Sequence, residues 1–124
     1  TIGECEMLYV AAREAVYGTL SKRIHRLKSG KLFSDFTPDE RIDTVVARAF
    51  AMRQAREIVR KLYDLTASAS VYAASPMDQW LRDLETMNQH LMAQEKILQS
   101  CGAWVIGGEP EVPIALGVAP AILN

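Results

Sequence analysis

Residues 75–90 read SPMDQWLRDLETMNQH, and this stretch decides how the rest of the chain is interpreted. It begins as a helix does, since Ser75 can accept hydrogen bonds from free backbone amides and Pro76 suits the first helical position. Asp78 completes an arrangement similar to a capping box. The apolar residues then recur at helical spacing, at Met77, Trp80, Leu81, Leu84, Met87 and Leu91. The stretch therefore predicts an amphipathic helix with His90, one of two histidines in the chain, on the border of its apolar face.

Two longer amphipathic helices are predicted before this stretch. The first runs from about residue 2 to residue 27, with apolar residues at steps of three and four, and ends in basic residues followed by Gly30. This basic end favours a solvated helix terminus, although contact with a phosphate is the alternative. The second helix begins at Thr37-Pro38-Asp39-Glu40, which has the pattern of a capping box, and continues to about residue 66.

The third helix is expected to start at Pro76, to continue past His90 and to stop at Gly102. After it, residues 103–124 contain three prolines and several glycines, which predicts an extended tail on the surface or against a partner. The predicted fold class is all-α: a long-helix up-and-down bundle of three long helices at 1–102, plus an extended C-terminal tail at 103–124. Three wide apolar faces leave one side of this bundle open, so we expect a fourth helix or a second copy of the chain to cover it.

Composition narrows the possible functions. With 124 residues, 49% of them hydrophobic, the chain suffices for one domain with a core. A formal net charge of −1 gives no field that would attract nucleic acid or an anionic membrane. No apolar run has the roughly 18 residues of a membrane span, and no signal-peptide pattern is present. Cys5 and Cys101 are far apart in sequence, which favours two buried thiols over a disulfide or a metal pair. We therefore expect a cytoplasmic protein with no metal, nucleic-acid or membrane partner.

His90 has two interpretations. As a structural residue it would be neutral and bonded to Thr86 or Gln94, one helical turn to either side. As a functional residue, a half-buried imidazole is suited to proton transfer near neutral pH. Asp83 lies two turns away, roughly 10 Å along a helix axis, so a His-Asp dyad is not supported. The chain shows no metal-ligand cluster, glycine-rich phosphate loop or nucleophile motif, and the residues alone leave both interpretations open.

The segment at residues 66–75 is rich in small and hydroxyl residues and has no clear period. Such a joint between two helices offers hydroxyls and backbone amides at close range to a phosphate or to the polar edge of a ring. It is equally typical of a tight linker whose small residues allow close packing. Both interpretations remain open at this point.

The run from Ser75 to Asp83, with a histidine seven residues after that aspartate, resembles the C-terminal helical domain of flavin-dependent monooxygenases of the acyl-CoA dehydrogenase fold, the two-component hydroxylase type. The likeness extends back through residues 61–72, forward through residues 93–102 and more loosely to Ile2. It implies the C-terminal domain of a longer enzyme, in which missing N-terminal domains share the binding of FMN or FAD, used as reduced flavin. It also implies self-association as a dimer or tetramer, a flavin reductase as partner, and a small aromatic, steroid-like or amino-sugar substrate.

The same resemblance assigns site residues. It makes His90 the candidate catalytic acid or base facing the flavin, and it places the cofactor against the turn before the proline helix, at Ala67, Ser68, Ala69, Ser70 and Tyr72. Many acyl-CoA dehydrogenases carry a catalytic glutamate at the position of Leu91, and a leucine cannot remove a proton. The resemblance therefore favours hydroxylation with reduced flavin and O2 over the alternative, acyl-CoA dehydrogenation. Without the N-terminal domains the chain alone is expected to be inactive, and a non-catalytic helical oligomerisation module is the third interpretation.

Overall fold

The computed structural model describes residues 1–71 and 75–117, except for the side chains of residues 70, 71 and 115. All regular structure in these ranges is helical, which confirms the predicted all-α class. The α-helices are α1 (Ile2–Lys28), α2 (Pro38–Thr66), α3 (Met77–Met87) and α4 (Glu95–Val105). Short 3-10 turns lie at Phe33–Asp35, Ala67–Val71, Leu91–Ala93 and Pro113–Leu116. No helix among the described residues is long and apolar enough to cross a membrane.

The predicted start of α2 is confirmed in detail. The Thr37 Oγ1 atom accepts a hydrogen bond from the Glu40 amide at 3.3 Å. The Glu40 carboxylate accepts one from the Thr37 amide at 2.8 Å. This reciprocal capping satisfies two amides that the first turn of a helix leaves free. The end of α1 also follows its sequence signal, since Gly30 has φ +95, a value that glycine adopts without strain.

Helix α1 runs antiparallel along one side of α2. The Cys5 Sγ atom, near the start of α1, lies 4.0 Å from the carbonyl oxygen of Ile58, near the end of α2. At the other end, Arg23 Nη2 donates to the carbonyl of Arg41 at 3.0 Å. Only one stripe of α1 is covered by this packing, and large apolar side chains on the rest of the helix are exposed: Ile2, Met7, Tyr9, Val10, Tyr17, Leu20, Ile24 and Leu27.

Helices α3 and α4 lie one after the other along α2, both antiparallel to it. Near the end of α3, Asn88 Nδ2 donates to the Met52 carbonyl at 3.3 Å. Near the end of α4, Trp104 Nε1 donates to Asp39 Oδ1 at 2.7 Å. Helix α3 therefore packs on the C-terminal half of α2, and α4 packs on the N-terminal half.

The prediction of one continuous third helix from Pro76 to Gly102 is wrong. The helix ends at Met87, and a second one begins at Glu95. The apolar periodicity did not reveal this interruption because the same stripe spacing continues on both sides of it. Gly102 is also not the stop, since it lies inside α4.

Helix α4 ends at Val105, and Gly107 follows with φ +80. The Gly108 amide then donates back to the Ala103 carbonyl at 2.7 Å, as in a Schellman-type helix end. The real C-terminal glycine signal was therefore Gly107.

The hydrophobic core joins α2 to α4 and to the last described turn. Its buried members are Ile42, Val45, Ile97, Cys101 and Leu116, with Met92, Trp104 and Val112 packed against them. The Val112 amide donates to Ser100 Oγ at 2.9 Å, which fixes the chain as it returns to the bundle. Leu116 is fully buried, so this part of residues 103–124 packs on the bundle, while residues 118–124 lie outside the described ranges.

Candidate functional site

The connection Asn88–Gln94 between α3 and α4, called the helix break below, is fixed by a buried amide. The Asn88 side chain is 8% exposed and donates to the Leu84 carbonyl at 2.8 Å and to the Met52 carbonyl at 3.3 Å. A buried polar group is stable only when its hydrogen bonds are satisfied, so these two bonds hold the helix break against the middle of α2. Sequence reasoning missed this residue, although an asparagine at the buried-face spacing 77, 81, 84 and 88 was a usable signal.

His90 lies in the helix break and is exposed rather than half-buried. Its Nδ1 atom accepts a hydrogen bond from the Met92 amide at 3.2 Å and so caps the turn Leu91–Ala93. An imidazole nitrogen that accepts carries no proton, so the neutral ring holds its proton on Nε2. His90 therefore presents an N–H donor from an exposed position in the break.

The two predicted partners of His90 do not bond to it. Thr86 Oγ1 donates to the Arg82 carbonyl at 2.9 Å, and Gln94 Nε2 donates to the Gln89 carbonyl at 2.9 Å. The prediction of these partners assumed an unbroken helix, in which they would lie one turn before and after the histidine. Because α3 ends at Met87, that spacing no longer applies.

A polar cleft of about 570 Å³ adjoins the helix break on the side of α2. Its lining residues are Arg53, Gln54, Arg56 and Glu57 from α2, with Asn88, Ala93, Gln94 and Glu95 from the break and the start of α4. His90 is not among them.

The carboxylates on either side of the helix break are paired with arginines of α2. Arg53 forms an ion pair with Glu95. Glu85 accepts from Arg60 Nε at 2.7 Å, and Arg56 Nη1 lies 3.6 Å from the same carboxylate. The three arginines and two carboxylates on this face are therefore all engaged in ion pairs within the bundle.

The predicted cofactor-binding turn forms the 3-10 helix Ala67–Val71 directly after α2. Ala67, Ser68 and Ala69 are exposed, and Ala67 has φ +48. The side chain of Ser70 and all of Tyr72 lie outside the described residues.

The structure does not bring this turn and His90 together. They stand at opposite ends of α3, whose 11 residues correspond to about 16 Å of helix. The roles that the resemblance gave to both remain predictions.

The turn fits one part of a flavin better than another. Its small exposed side chains leave room for a flat ring, and the Ser68 hydroxyl can bond to a polar ring edge. The turn follows the carbonyl end of α2, however, where the helix macrodipole is negative and disfavours a phosphate. This end of α2 therefore does not fit a flavin phosphate, and the polar edge of the ring system is the part of a flavin that Ser68 could contact.

The possible metal ligands form no cluster in the described ranges, and the two thiols of the chain lie apart from one another. Within residues 1–71 and 75–117, no three His, Cys, Asp or Glu side chains are grouped as metal ligands. Cys5 and Cys101 are separate, buried free thiols, as predicted. Burial raises the pKa of the Cys101 thiol, and the nearby positive charge of Arg48 partly opposes this shift.

Comparison with known proteins identifies one family. The family model described as "Acyl-CoA dehydrogenase, C-terminal domain" matches residues 1–95, which include α1, α2, α3 and the helix break. No curated protein and no solved structure gives a significant match to the chain.

Proposed function

Because this chain belongs to the family of acyl-CoA dehydrogenase C-terminal domains, we propose that it is the helical bundle of a flavin-dependent monooxygenase. The family is one of flavin-dependent oxidoreductases, and the all-α fold agrees with it. In the proposal, further domains complete the flavin site, and the bundle alone is inactive. A bound flavin, once reduced, supplies the electrons with which O2 hydroxylates a small aromatic, steroid-like or amino-sugar substrate.

The position of His90 is the observation that supports this proposal most directly. Its Nδ1 atom accepts from the Met92 amide, so the neutral ring carries its proton on the exposed side, at Nε2. Adding a second proton would break the bond to Met92, because Nδ1 would become a donor. The neutral ring can donate a hydrogen bond from Nε2, and proton donation requires prior protonation of Nδ1 with loss of the bond to Met92. We assign His90 the role of the acid or base at the flavin.

The surroundings of His90 disfavour the dehydrogenase alternative. A dehydrogenase of this family needs a carboxylate to remove a proton, and Leu91 occupies the corresponding position. Leu91 is 48% exposed beside His90 and has no group that could act as a base. The nearest flanking carboxylates, Glu85 and Glu95, are held in ion pairs with arginines of α2.

The first test replaces the histidine in the complete enzyme that carries this bundle. We expect His90→Gln to lower product formation by about 100-fold or more, the usual contribution of general acid–base catalysis. His25→Gln is the matched control, because it removes the other histidine of the chain, an exposed residue in the last turns of α1. The measurement is the amount of hydroxylated product formed with reduced flavin and O2. Wild-type product formation by His90→Gln would contradict the role.

The reaction type needs a separate assay. We expect product formation to require O2, and we expect no reduction of an electron-accepting dye by acyl-CoA without O2. Dye reduction by an acyl-CoA under anaerobic conditions would instead identify a dehydrogenase.

A second candidate function is a non-catalytic oligomerisation module, favoured by the exposed apolar face of α1. A groove of about 380 Å³ runs between α1 and α2, with mainly apolar lining: Tyr9, Ala12, Arg13, Val16, Tyr17, Leu20, Ala51, Ala55 and Ile58. Contiguous exposed apolar surface of this kind is typical of a protein interface. In either function we propose that the chain self-associates through α1, as a dimer or tetramer.

Sedimentation analysis tests this self-association. We expect an oligomer for the wild-type chain and a monomer for Leu20→Glu, which places a charge on the exposed face of α1. Val105→Glu is the control, since Val105 is exposed at the end of α4, and this variant should sediment as the wild type does. A monomeric wild-type chain at tens of micromolar would contradict the assignment. If the chain is oligomeric but flavin binding by the complete enzyme does not depend on it, the oligomerisation module is favoured over the monooxygenase bundle.

A further inference from the structure

Three arginines converge at the end of the bundle that holds the last turns of α1 and the first half of α2. Arg23, Arg41 and Arg48, called the arginine cluster below, line a cleft of about 220 Å³. The rest of its lining is Phe33, Thr44, Val45, Ile114 and Gly117. The cluster is distant from the turn after α2, since the 18 residues from Arg48 to Thr66 correspond to about 27 Å of helix.

Among the residues that the structure describes, no carboxylate forms an ion pair with this cluster, and the charge of Asp43 acts on Arg23 only from a longer distance. Its hydrogen bonds go to backbone carbonyls instead. Arg23 donates to the Arg41 carbonyl at 3.0 Å. Arg41 donates to the Gly117 carbonyl at 2.8 Å and to the Phe33 carbonyl at 3.4 Å. Arg48 forms no hydrogen bond or ion pair within the described ranges.

Several donors of the cluster are buried and unused. The Nε atoms of Arg23, Arg41 and Arg48, the Nη2 atom of Arg48 and the Thr44 hydroxyl are inaccessible to solvent and have no partner among the described residues. Unsatisfied buried donors and unpaired charges both destabilise a fold. Five such atoms beside one cleft favour the binding of a ligand that accepts hydrogen bonds, which the flexible arginine side chains reach by small rotations.

The acidic residues at this end of the bundle are engaged elsewhere. Glu40 forms ion pairs with Arg26 and with Lys31, the latter at 3.0 Å. Asp43 lies 3.9 Å from Lys22. The basic residues at the end of α1 therefore have different surroundings: Lys22 and Arg26 face acidic residues, and Arg23 lines the cleft.

Aromatic packing holds two of the guanidinium groups beside each other. The Phe33 ring centre lies 5.9 Å from the guanidinium carbon of Arg23 and 5.7 Å from that of Arg41. Stacking on an aromatic face attracts each cation and offsets part of their mutual repulsion. Burial and then the charges of Arg41 and Arg48 lower the pKa of Arg23, with Asp43 opposing, which again reflects an excess of positive charge.

We infer that the arginine cluster binds a small phosphate-type oxoanion, either as the free ion or as the phosphoryl group of a larger molecule. Guanidinium groups bind such oxoanions through several parallel hydrogen bonds. The cleft of about 220 Å³ is smaller than the roughly 300–1,000 Å³ of sites for drug-sized ligands, which excludes a whole nucleotide. This site does not depend on the proposed monooxygenase function.

Calorimetric titration of the full 124-residue chain with inorganic phosphate tests the inference. Sodium chloride keeps the ionic strength constant, so that general screening does not contribute. We expect saturable binding at one site, weakened at least tenfold in Arg48→Gln. Arg48 is the best residue to change because it has no internal hydrogen bond to lose. Arg82→Gln is the matched control: it removes the same charge from an exposed arginine of α3, far from the cleft, that forms an ion pair with Asp78 at 3.2 Å.

Thermal unfolding gives an independent readout. Phosphate should raise the unfolding temperature of the wild-type chain and of Arg82→Gln, and raise that of Arg48→Gln less at the same phosphate concentration. Without phosphate, Arg48→Gln should unfold at the same or a higher temperature than the wild type, which also shows that it is folded.

A phosphate monoester distinguishes the two sources of the oxoanion. Tighter binding of glycerol phosphate than of inorganic phosphate assigns a phosphorylated molecule, and equal or weaker binding assigns the free ion. Absence of saturable phosphate binding, or equal affinity in Arg48→Gln, overturns the inference. A change of mass in solution caused by Arg48→Gln, with no phosphate bound by the wild type, would assign the cluster to carboxylates of a second copy instead.

Discussion

Two sets of three arginines lie against α2, and only one of them has carboxylate partners. In the C-terminal half, Arg53, Arg56 and Arg60 form ion pairs with Glu95 and Glu85. In the N-terminal half, the arginine cluster bonds to carbonyl oxygens or, for part of its donors, to nothing in the described residues. Five of these six arginines lie on α2 itself and Arg23 lies on α1, yet the surroundings of the two sets differ completely.

The difference shows how position in the fold separates a structural from a binding role. The paired arginines connect α2 to α3 and α4, so their charge is used within the bundle. The arginine cluster connects α2 to α1 and to Gly117 only through carbonyl oxygens, which leave its charge unpaired. The apolar core around Ile97 and Leu116 also holds this half of α2. Positive charge that the fold neither needs nor neutralises is available to a ligand.

The largest expected effect tests whether apolar packing holds the half of α2 that carries the arginine cluster. Ile97 is fully buried in the core, so Ile97→Ala should lower the free energy of unfolding by about 3 kcal/mol. Urea denaturation followed by circular dichroism measures this loss. Val105→Ala, at an exposed position of the same helix, should change it by less than about 0.5 kcal/mol. Equal effects of the two variants would contradict the assigned core.

The next effect concerns the other half of α2, where a buried amide holds the helix break. Asn88→Ala removes the donors to Leu84 and Met52 and should cost about 2 kcal/mol, because buried carbonyls then lose partners. Gln89→Ala is the control, since Gln89 is exposed. Stability is measured by urea denaturation. If both variants were as stable as the wild type, Asn88 would not fix the break.

A smaller effect compares the two arginine sets directly. Glu85→Gln removes the charge shared by Arg56 and Arg60, which are partly exposed, so the cost should be only about 0.5–1 kcal/mol. At 1 M salt this loss should largely vanish, because screening then acts over about 3 Å. In phosphate-free buffer, Arg48→Gln should cost nothing or increase stability. A loss of stability in Arg48→Gln equal to that in Glu85→Gln would remove the distinction between the sets.

The smallest expected effect is a pH dependence beside the arginine cluster. Burial raises the pKa of the Cys101 thiol above its ordinary value of 9.0. The unfolded chain therefore releases this proton first as pH rises, and stability is lost between pH 9.0 and the higher pKa of the folded state. Cys101→Ala should show a smaller alkaline loss than Cys5→Ala in urea denaturation between pH 8 and pH 11. Identical pH profiles would contradict the shift.

Local sequence signals were sufficient for α1, for α2 and for the fold class. The capping box of Thr37 and Glu40 and the left-handed Gly30 each act within a few residues, so their effect can be read from neighbouring positions. The apolar periodicity of the helices is equally local. Resemblance at residues 75–90 also led to the acyl-CoA dehydrogenase C-terminal domain, which the match to residues 1–95 confirms, whereas the monooxygenase type stays a prediction.

The candidate site was predictable only in part, because its geometry depends on distant contacts. The sequence singled out His90, but not that its Nδ1 atom caps a short turn or that it is exposed. It also suggested the turn at residues 67–72, and the helix predicted from Pro76 already separated this turn from His90. The cap at His90 follows from where α3 ends, and the apolar pattern did not contain that information.

By itself, then, the sequence determined the helical class, the limits of the two long helices and the family, since hydrogen bonds between near neighbours specify helices. Tertiary structure decided the helix break, because Asn88 bonds to Met52, 36 residues away. It also decided which arginines find carboxylates, since electrostatic pairing depends on distances of a few ångströms between helices rather than on spacing along the chain.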